Sequence, residues 1–336
     1  MTAFILLLLI GGVIAGYLYL KIFSDNVEIP DSTAFIQIPT GTNLSELTDI
    51  LEDKGLVKDL NSFQFVSKLM KFKTVKPGRY QLKDGWNNRE LVSILRSGRQ
   101  TPINVTINNF RTLPDLCGFF GSKFEQDSIS FLKFLQSTLT EKKNTYTKEN
   151  QLTLFLPNSY EFYWNTSPQK LLERFTKEHD KFYNSKRQKL LKKLNMTKEE
   201  VYTLASIVQK ETLVNAEKPR VAGVYINRLN RGQLLQADPT VVFANGDFTI
   251  RRVLNKHLAK DSPYNTYKYE GLPPGPICMP DVSSIDAVLN YEKHKYLYFC
   301  ASTDNSGRHQ FAKTLKEHNR NANRYRAYLN KQRIFK

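Results

Sequence analysis

Glu211 is the residue in this sequence best placed for acid–base chemistry. The run Thr197-Lys-Glu-Glu200 is a capping box, with the threonine capping a helix and Glu200 reaching back. The helix continues through Val201, Leu204, Ala205 and Val208. At about 100° per residue, Glu211 falls about 20° from Leu204, inside the apolar arc, while Gln209 and Lys210 point away. A carboxylate on a buried stripe must be desolvated, paired or functional. It also lies at the C-terminal end of the helix, where the macrodipole disfavours negative charge. Both effects raise a carboxyl pKa. An acid that keeps its proton near neutral pH is what general acid catalysis needs. The competing reading is a helix that frays at Lys210 and leaves Glu211 in water or against an arginine.

The residues that follow must build a site around it. A second helix is expected, with Asn215 as its cap, Pro219 in its first turn, and Val221, Val224, Tyr225 and Leu229 on one face; Gly232 ends it. In Leu235-Gln236-Ala237-Asp238-Pro239-Thr240-Val241, Asp238 before proline reads as an N-cap with Pro at the first helical position. Asp238 is also the best second carboxylate, so a structural and a chemical duty compete for it. Tyr264-Asn265-Thr266-Tyr267 forms an aromatic and polar surface of the kind that binds sugar hydroxyls and acetamido groups. Gly271-Leu-Pro-Pro-Gly-Pro-Ile277 can only be a loop. Tyr296–Phe299 reads as a strand, and a basic helix from about Leu315 to Leu329 closes the chain. Upstream, Leu156–Phe162 is extended, either lining a groove or forming a buried strand edge. Lys186–Lys193 reads as a solvated helix face.

The amino-terminal third carries no visible chemistry. Ala3–Leu20 lacks any charge and is about long enough to span a hydrocarbon core. Tyr17, Tyr19 and Lys21 mark its interfacial end. No basic residue precedes the run and no clean small-residue cleavage site follows, which favours an uncleaved membrane helix over a signal peptide. The expected organisation is a transmembrane helix over 1–22, a linker over 23–32, a small module over 33–101 and a larger domain over 102–336. In the module, Gly41-x-Asn43-x-x-Glu46-Leu47-x-x-Ile50-Leu51 recurs as Gly85-x-Asn87-x-x-Glu90-Leu91-x-x-Ile94-Leu95. This is either a duplicated unit or chance likeness between two capped helices. The strand and helix order resembles a LysM-like module.

Composition narrows the class. The 336 residues hold 49 Lys+Arg against 32 Asp+Glu, a net charge of +17, with 40% hydrophobic and 12% aromatic residues. That apolar content supports folded cores and excludes wholesale disorder. Three cysteines without a CxxC pair offer neither a disulfide framework nor a structural zinc site, and no metal or cofactor is expected. The positive charge favours an anionic polymer or lipid surface. A nucleic-acid binder is the rival reading, opposed by the membrane helix and by the lack of a nucleic-acid module.

The blocks Leu204-Ala-Ser-Ile-Val-Gln-Lys-Glu211-Thr, Val224-Tyr-Ile-Asn-Arg-Leu229, Leu235–Val241, Tyr264–Tyr267 and Gly271–Ile277 together resemble the YceG-like family of endolytic murein transglycosylases. The resemblance implies an α+β chain with a transmembrane helix, a LysM-like module and a catalytic domain. It implies a lyase that cleaves the β-1,4 bond from N-acetylmuramic acid to N-acetylglucosamine within glycan strands, leaving 1,6-anhydro ends and limiting nascent strand length. It maps the catalytic acid/base onto Glu211 and leaves Gln236, Asp238, Thr240, Tyr264, Asn265, Thr266 and Tyr267 as candidate substrate-binding residues. Where the family often carries an acidic residue, this chain has Gln209. The implied partners are peptidoglycan strands, the membrane and, as candidates, peptidoglycan synthases. The implied location is the bacterial inner (plasma) membrane, single-pass, with the catalytic domain periplasmic or otherwise extracytoplasmic. A non-catalytic wall-binding scaffold is the alternative.

Overall fold

The computed structural model describes residues 1–30, 33–141, 146–304 and 306–332. The chain is mixed α+β and divides into two compact units. The first comprises Met1–Val105, Gly121–Asp127 and Tyr160–Ser167, and the second Thr106–Phe120, Ser128–Ser159 and Pro168–Lys336.

The first unit opens with α1 (Thr2–Phe23), 22 residues with no buried side chain, whose most apolar 18-residue stretch has a mean hydropathy of 2.4. Among the described residues it is the one helix long and apolar enough to cross a membrane. Next come β1 (Thr33–Ile38), α2 (Leu44–Asp53), α3 (Leu60–Leu69), β2 (Gly78–Lys83) and α4 (Asn88–Ser97). β1 and β2 pair antiparallel, with Thr33 opposite Lys83 and Ile38 opposite Gly78. Alternation along each strand sends Ile36, Ile38, Tyr80 and Leu82 inward, onto Leu47, Leu51, Phe63, Val66, Leu91 and Leu95. The sequence repeat has a structural counterpart. Asn43 caps α2 and Asn87 caps α4, each in a complete capping box with Glu46 or Glu90.

The stretch expected as a linker is packed over its described part. Val27 and Ile29 belong to the core, and Val27 and Asp25 form bridges to Val57 and Asn87. Buried Asn26 donates to Asn88 Oδ1 at 2.7 Å and to Ser62 Oγ at 3.2 Å. Two apolar residues spaced by two suffice for an edge pairing, which the polar neighbours conceal in the sequence. Asp31 and Ser32 lie outside the described residues. At the end of α1, Asn88 Nδ2 donates to Lys21 O at 2.9 Å, and Lys21 pairs with Asp59 at 3.5 Å.

Further along are β3 (Ile103–Ile107), α5 (Leu113–Lys123), α6 (Ser128–Glu141), β4 (Asn158–Phe162), α7 (Pro168–Phe182) and α8 (Ser185–Leu194). β3 pairs with β4, so the Leu156–Phe162 segment contributes a strand. α8 buries only Leu191, as the lysine run requires. The centre of the second unit is α9 (Lys198–Glu211), capped by Thr197 in the expected box and buried from Val201 through Val208. Around it lie α10 (Lys218–Leu229), α11 (Asp238–Asn245), α12 (Asn255–Leu258) and α13 (Val282–Leu289), with α10, α11 and α13 in contact with α9. The hairpin of β5 (Tyr298–Ala301) and β6 (His309–Ala312) precedes α14 (Leu315–Lys331). β5 starts two residues later than expected because the Asn227 amide takes the carbonyls of His294 and Tyr296, both at 2.9 Å. Within α14 the one buried side chain is Asn321, and residues 333–336 lie outside the described residues.

Candidate active site

Glu211 is the last residue of α9, and the helix does not fray before it. The Thr212 amide still reaches Val208 O at 3.3 Å before Thr212 turns extended. Lys210, on the opposite side, donates to Asn109 Oδ1 at 2.7 Å. The Glu211 carboxyl is partly buried and has no cation at ion-pair distance among the described residues. Its partner is Tyr225 of α10, 2% exposed, whose hydroxyl donates to Glu211 Oε1 at 2.5 Å. Burial pushes the Glu211 carboxyl up to about 7, and the charge of Asp238 adds to the rise; the Tyr225 hydrogen bond and the Arg228 charge oppose it. The group is therefore poised to give and take a proton near neutral pH.

α10 begins at Lys218 with Glu217 at the cap position, not Asn215, which instead accepts from Ser283 Oγ at 3.4 Å. Glu217 is 7% exposed and fully engaged. Its Oε1 accepts from His309 N at 2.7 Å, while Oε2 lies 2.7 Å from His309 Nδ1 and accepts from Thr212 Oγ1 at 3.2 Å. This clasp fixes the turn directly after Glu211. The His309 ring packs edge-on against Phe299, and Phe299 edge-on against Tyr225.

Asp238 departs from its expected duty. Ala237 occupies the cap position of α11, and no side chain caps the helix. Two long-range bonds set this start: Gln236 N to Thr266 O and Ala237 N to Thr266 Oγ1, both 3.0 Å, with Gln236 held at φ 52°. The Asp238 carboxylate is left exposed, accepting from the Tyr267 hydroxyl at 2.5 Å.

Two cavities share Glu211 and Asp238. One, of about 280 Å³, adds Tyr225, Arg228, Gln236, Tyr267, Tyr298 and His318. Its Arg228 spends Nε and Nη1 on the carbonyls of Leu297, Leu234 and Leu235 and on Gln236 Oε1. The other, of about 320 Å³, adds Arg111, Lys210, Phe243, Phe248, Ile250 and Arg251. The two cavities meet at this acid pair.

Of the predicted binding residues, Gln236, Asp238 and Tyr267 line the first cavity. Three others are scaffolding. Thr240 is fully buried, donating to Ala237 O at 2.7 Å and lying 2.8 Å from Thr266 Oγ1. Asn265, also fully buried, donates to Leu258 O and Lys260 O and accepts from Tyr267 N. Thr266 is 1% exposed. The Tyr264 ring lies tilted against Phe243, 4.6 Å between centroids, and lines another cavity with Arg111 and Leu113. Sequence reasoning missed Arg228, Tyr298 and His318, and treated Tyr225 as core. The available signal for Tyr225 was a phenol on the apolar face of the helix following Glu211. Among the described residues, no three His, Cys, Asp or Glu side chains group closely enough to hold a metal ion.

The loop Gly271–Ile277 is pinned to α9, Ile277 N donating to the buried Ser206 Oγ at 3.0 Å. A Cβ at Gly275 would stand 2.0 Å from Glu149 O, so only glycine lets these backbones meet. Gly223 on α10 is equally constrained by Glu292 O, at 2.4 Å from a Cβ there.

The model of the YceG-like family matches residues 36–324. A protein of Bacillus subtilis (strain 168) named endolytic murein transglycosylase is 31% identical over 335 residues, covering 95% of this chain and 91% of that one. A protein of the same name from Streptococcus pneumoniae (serotype 2 strain D39) is 29% identical over 316 residues; the match covers 85% of this chain and 57% of that one. The crystal structure of a YceG-like protein from Listeria monocytogenes, 29% identical, superposes with a TM-score of 0.57 over 86% of this chain and 99% of that chain.

Proposed function

The chain belongs to the YceG-like family, and from that premise we propose that it is a peptidoglycan transglycosylase of the lyase class, with Glu211 as its catalytic acid and base. The observation that carries this reading is the Glu211 carboxyl, raised to about 7, beside Asp238 at the junction of two cavities. Protonated Glu211 donates to the oxygen linking N-acetylmuramic acid to N-acetylglucosamine. The C1–O bond breaks through an oxocarbenium-like state, and the glucosamine leaves with its 4-hydroxyl restored. The Glu211 carboxylate then takes the proton of the muramyl C6 hydroxyl as O6 attacks C1. The 1,6-anhydro ring closes, no water is consumed, and Glu211 is again protonated. A hydrolase needs a second carboxylate to handle water on the opposite face. An internal hydroxyl removes that need, and Asp238 is free to stabilise the positive charge developing at C1.

Endolytic action is supported by the two cavities that meet at Glu211. In this reading α1 is a single-pass anchor and the catalytic unit lies outside the cytoplasm, where its substrate is; cutting nascent strands there limits their length. The antiparallel pair β1–β2, enclosing α2 and α3, supports a LysM-like wall-binding role for the module. Mass spectrometry of products from purified glycan strands tests the reaction. We expect 1,6-anhydromuramyl ends that vanish in Glu211→Gln. Reducing muramyl ends would instead assign Asp238 to water activation, and intact strands would leave a binding scaffold.

A further inference from the structure

The cavity on the Arg111 side carries a charge pattern that the bond-breaking step does not use. Three cations line it, Arg111, Lys210 and Arg251, against the two acids it shares with the first cavity. Arg111 is half-buried, with its guanidinium 4.0 Å over the Phe248 ring, and it meets no acceptor among the described residues. Arg251 is exposed and likewise has no acceptor among them. Lys210 has only the neutral Asn109 Oδ1. Three other arginines of this unit are satisfied. Arg187 grips Asp286 with two bonds of 3.0 Å, Arg220 grips Glu292, and Arg228 is spent on carbonyls. A half-buried guanidinium stacked on an aromatic ring and left without an acceptor is set up for a planar anion, which it binds through two parallel hydrogen bonds. The floor beneath is apolar, made by Phe243, Phe248, Ile250, Val253 and Ile277, and the space is near the lower end of ligand-binding pockets.

We propose that this cavity seats the peptide stem of a muramyl residue beside the scissile bond, its carboxylates paired with Arg111 and Arg251 and its alanyl methyls on the Phe243–Phe248 floor. The inference rests on the peptidoglycan reading above and adds a substrate class to it: strands that still carry their peptides. Covalent attachment of the stem to the sugar chain explains why the basic pocket adjoins Glu211 and Asp238. The sugar backbone itself is neutral and gives two unpaired guanidinium groups nothing to bind.

Two carboxylate sources must be separated, because stripping the stem with an amidase exposes the lactyl carboxylate of the muramyl residue. The test uses the full-length chain in detergent and compares peptide-bearing with amidase-stripped strands. Binding is measured by calorimetry on the Glu211→Gln protein, and cleavage on the active one. The expected result is a preference for peptide-bearing strands of about tenfold or more, falling toward one in Arg111→Ala/Arg251→Ala and partly kept in Arg111→Lys/Arg251→Lys, with thermal unfolding unchanged. Equal losses on both strands would overturn the peptide seat, as would a preference that survives the double alanine variant. A preference for stripped strands would assign the arginines to the lactyl group instead. Because binding is read without turnover, discrimination by Glu211→Gln would stand even if the active chain produced no anhydro ends, so the two readings fail separately.

Discussion

The Tyr225 hydroxyl stands 2.5 Å from Glu211 Oε1, a neutral donor on a carboxyl that has no cation at ion-pair distance among the described residues. Because a hydrogen bond of this kind favours the anion, it trims the pKa that burial raises. In the proposed mechanism Glu211 must carry its proton to begin the reaction, so activity is expected to hold below about pH 7 and to fall above it. In Tyr225→Phe the anion loses its donor and that falling limb moves to higher pH, while kcat drops about tenfold because the carboxyl is no longer oriented. The pH profile of kcat for both proteins checks this, and an unmoved limb would remove Tyr225 from the proton's path.

The same carboxyl sets a cost in stability. Its pKa is 4.5 unfolded and about 7 folded, so the native state holds the proton more tightly. Stability is then greatest below about pH 4.5, declines as pH rises to about 7, and is level above that. Glu211→Gln should abolish cleavage yet unfold later than the parent at pH 8, by about 2–3 kcal/mol, with the difference vanishing near pH 4. Denaturant unfolding at both pH values measures it. Equal stability throughout would mean an ordinary hydrated glutamate.

Asp238 offers the converse. It caps no helix amide, so Asp238→Asn should change folding stability by less than about 0.5 kcal/mol. It lines both cavities with Glu211, and on the proposed mechanism the loss of its charge is expected to lower kcat about a hundredfold. The Glu211 limb should shift to lower pH at the same time, since a like charge that raised it is gone. A large loss of stability with little kinetic effect would return Asp238 to a structural role.

α9 is legible in the sequence because its signals are local: a capping box, an apolar period, and one acid that breaks it. The start of α11 is not, because the backbone bonds to Thr266, which move the cap from Asp238 to Ala237, connect residues far apart in sequence. Asn265 and Thr266 look like sugar ligands for a related reason. An amide that satisfies loop carbonyls is the same residue type as one that satisfies a hydroxyl, and only burial separates them. The strap at Val27 and Ile29 stayed hidden because two apolar residues among polar ones give too short a period to read.

Asn265→Ala tests that separation. Removing the side chain unpairs the carbonyls of Leu258 and Lys260 and the amide of Tyr267, at a cost of about 2–3 kcal/mol. The loss is expected in the unfolding curve, with KM little changed below the new transition. A raised KM at unchanged stability would put Asn265 in contact with sugar after all.

The end of α1 is bound into the first unit by Lys21 O to Asn88 and by Lys21 to Asp59, and the strap that follows is buried within the same core. With α1 in a bilayer, the module has no leash to wander on. On the proposed reading it would stand at the lipid surface like a fitting bolted to a floor, and its reach would end at the layer of wall laid down nearest the membrane.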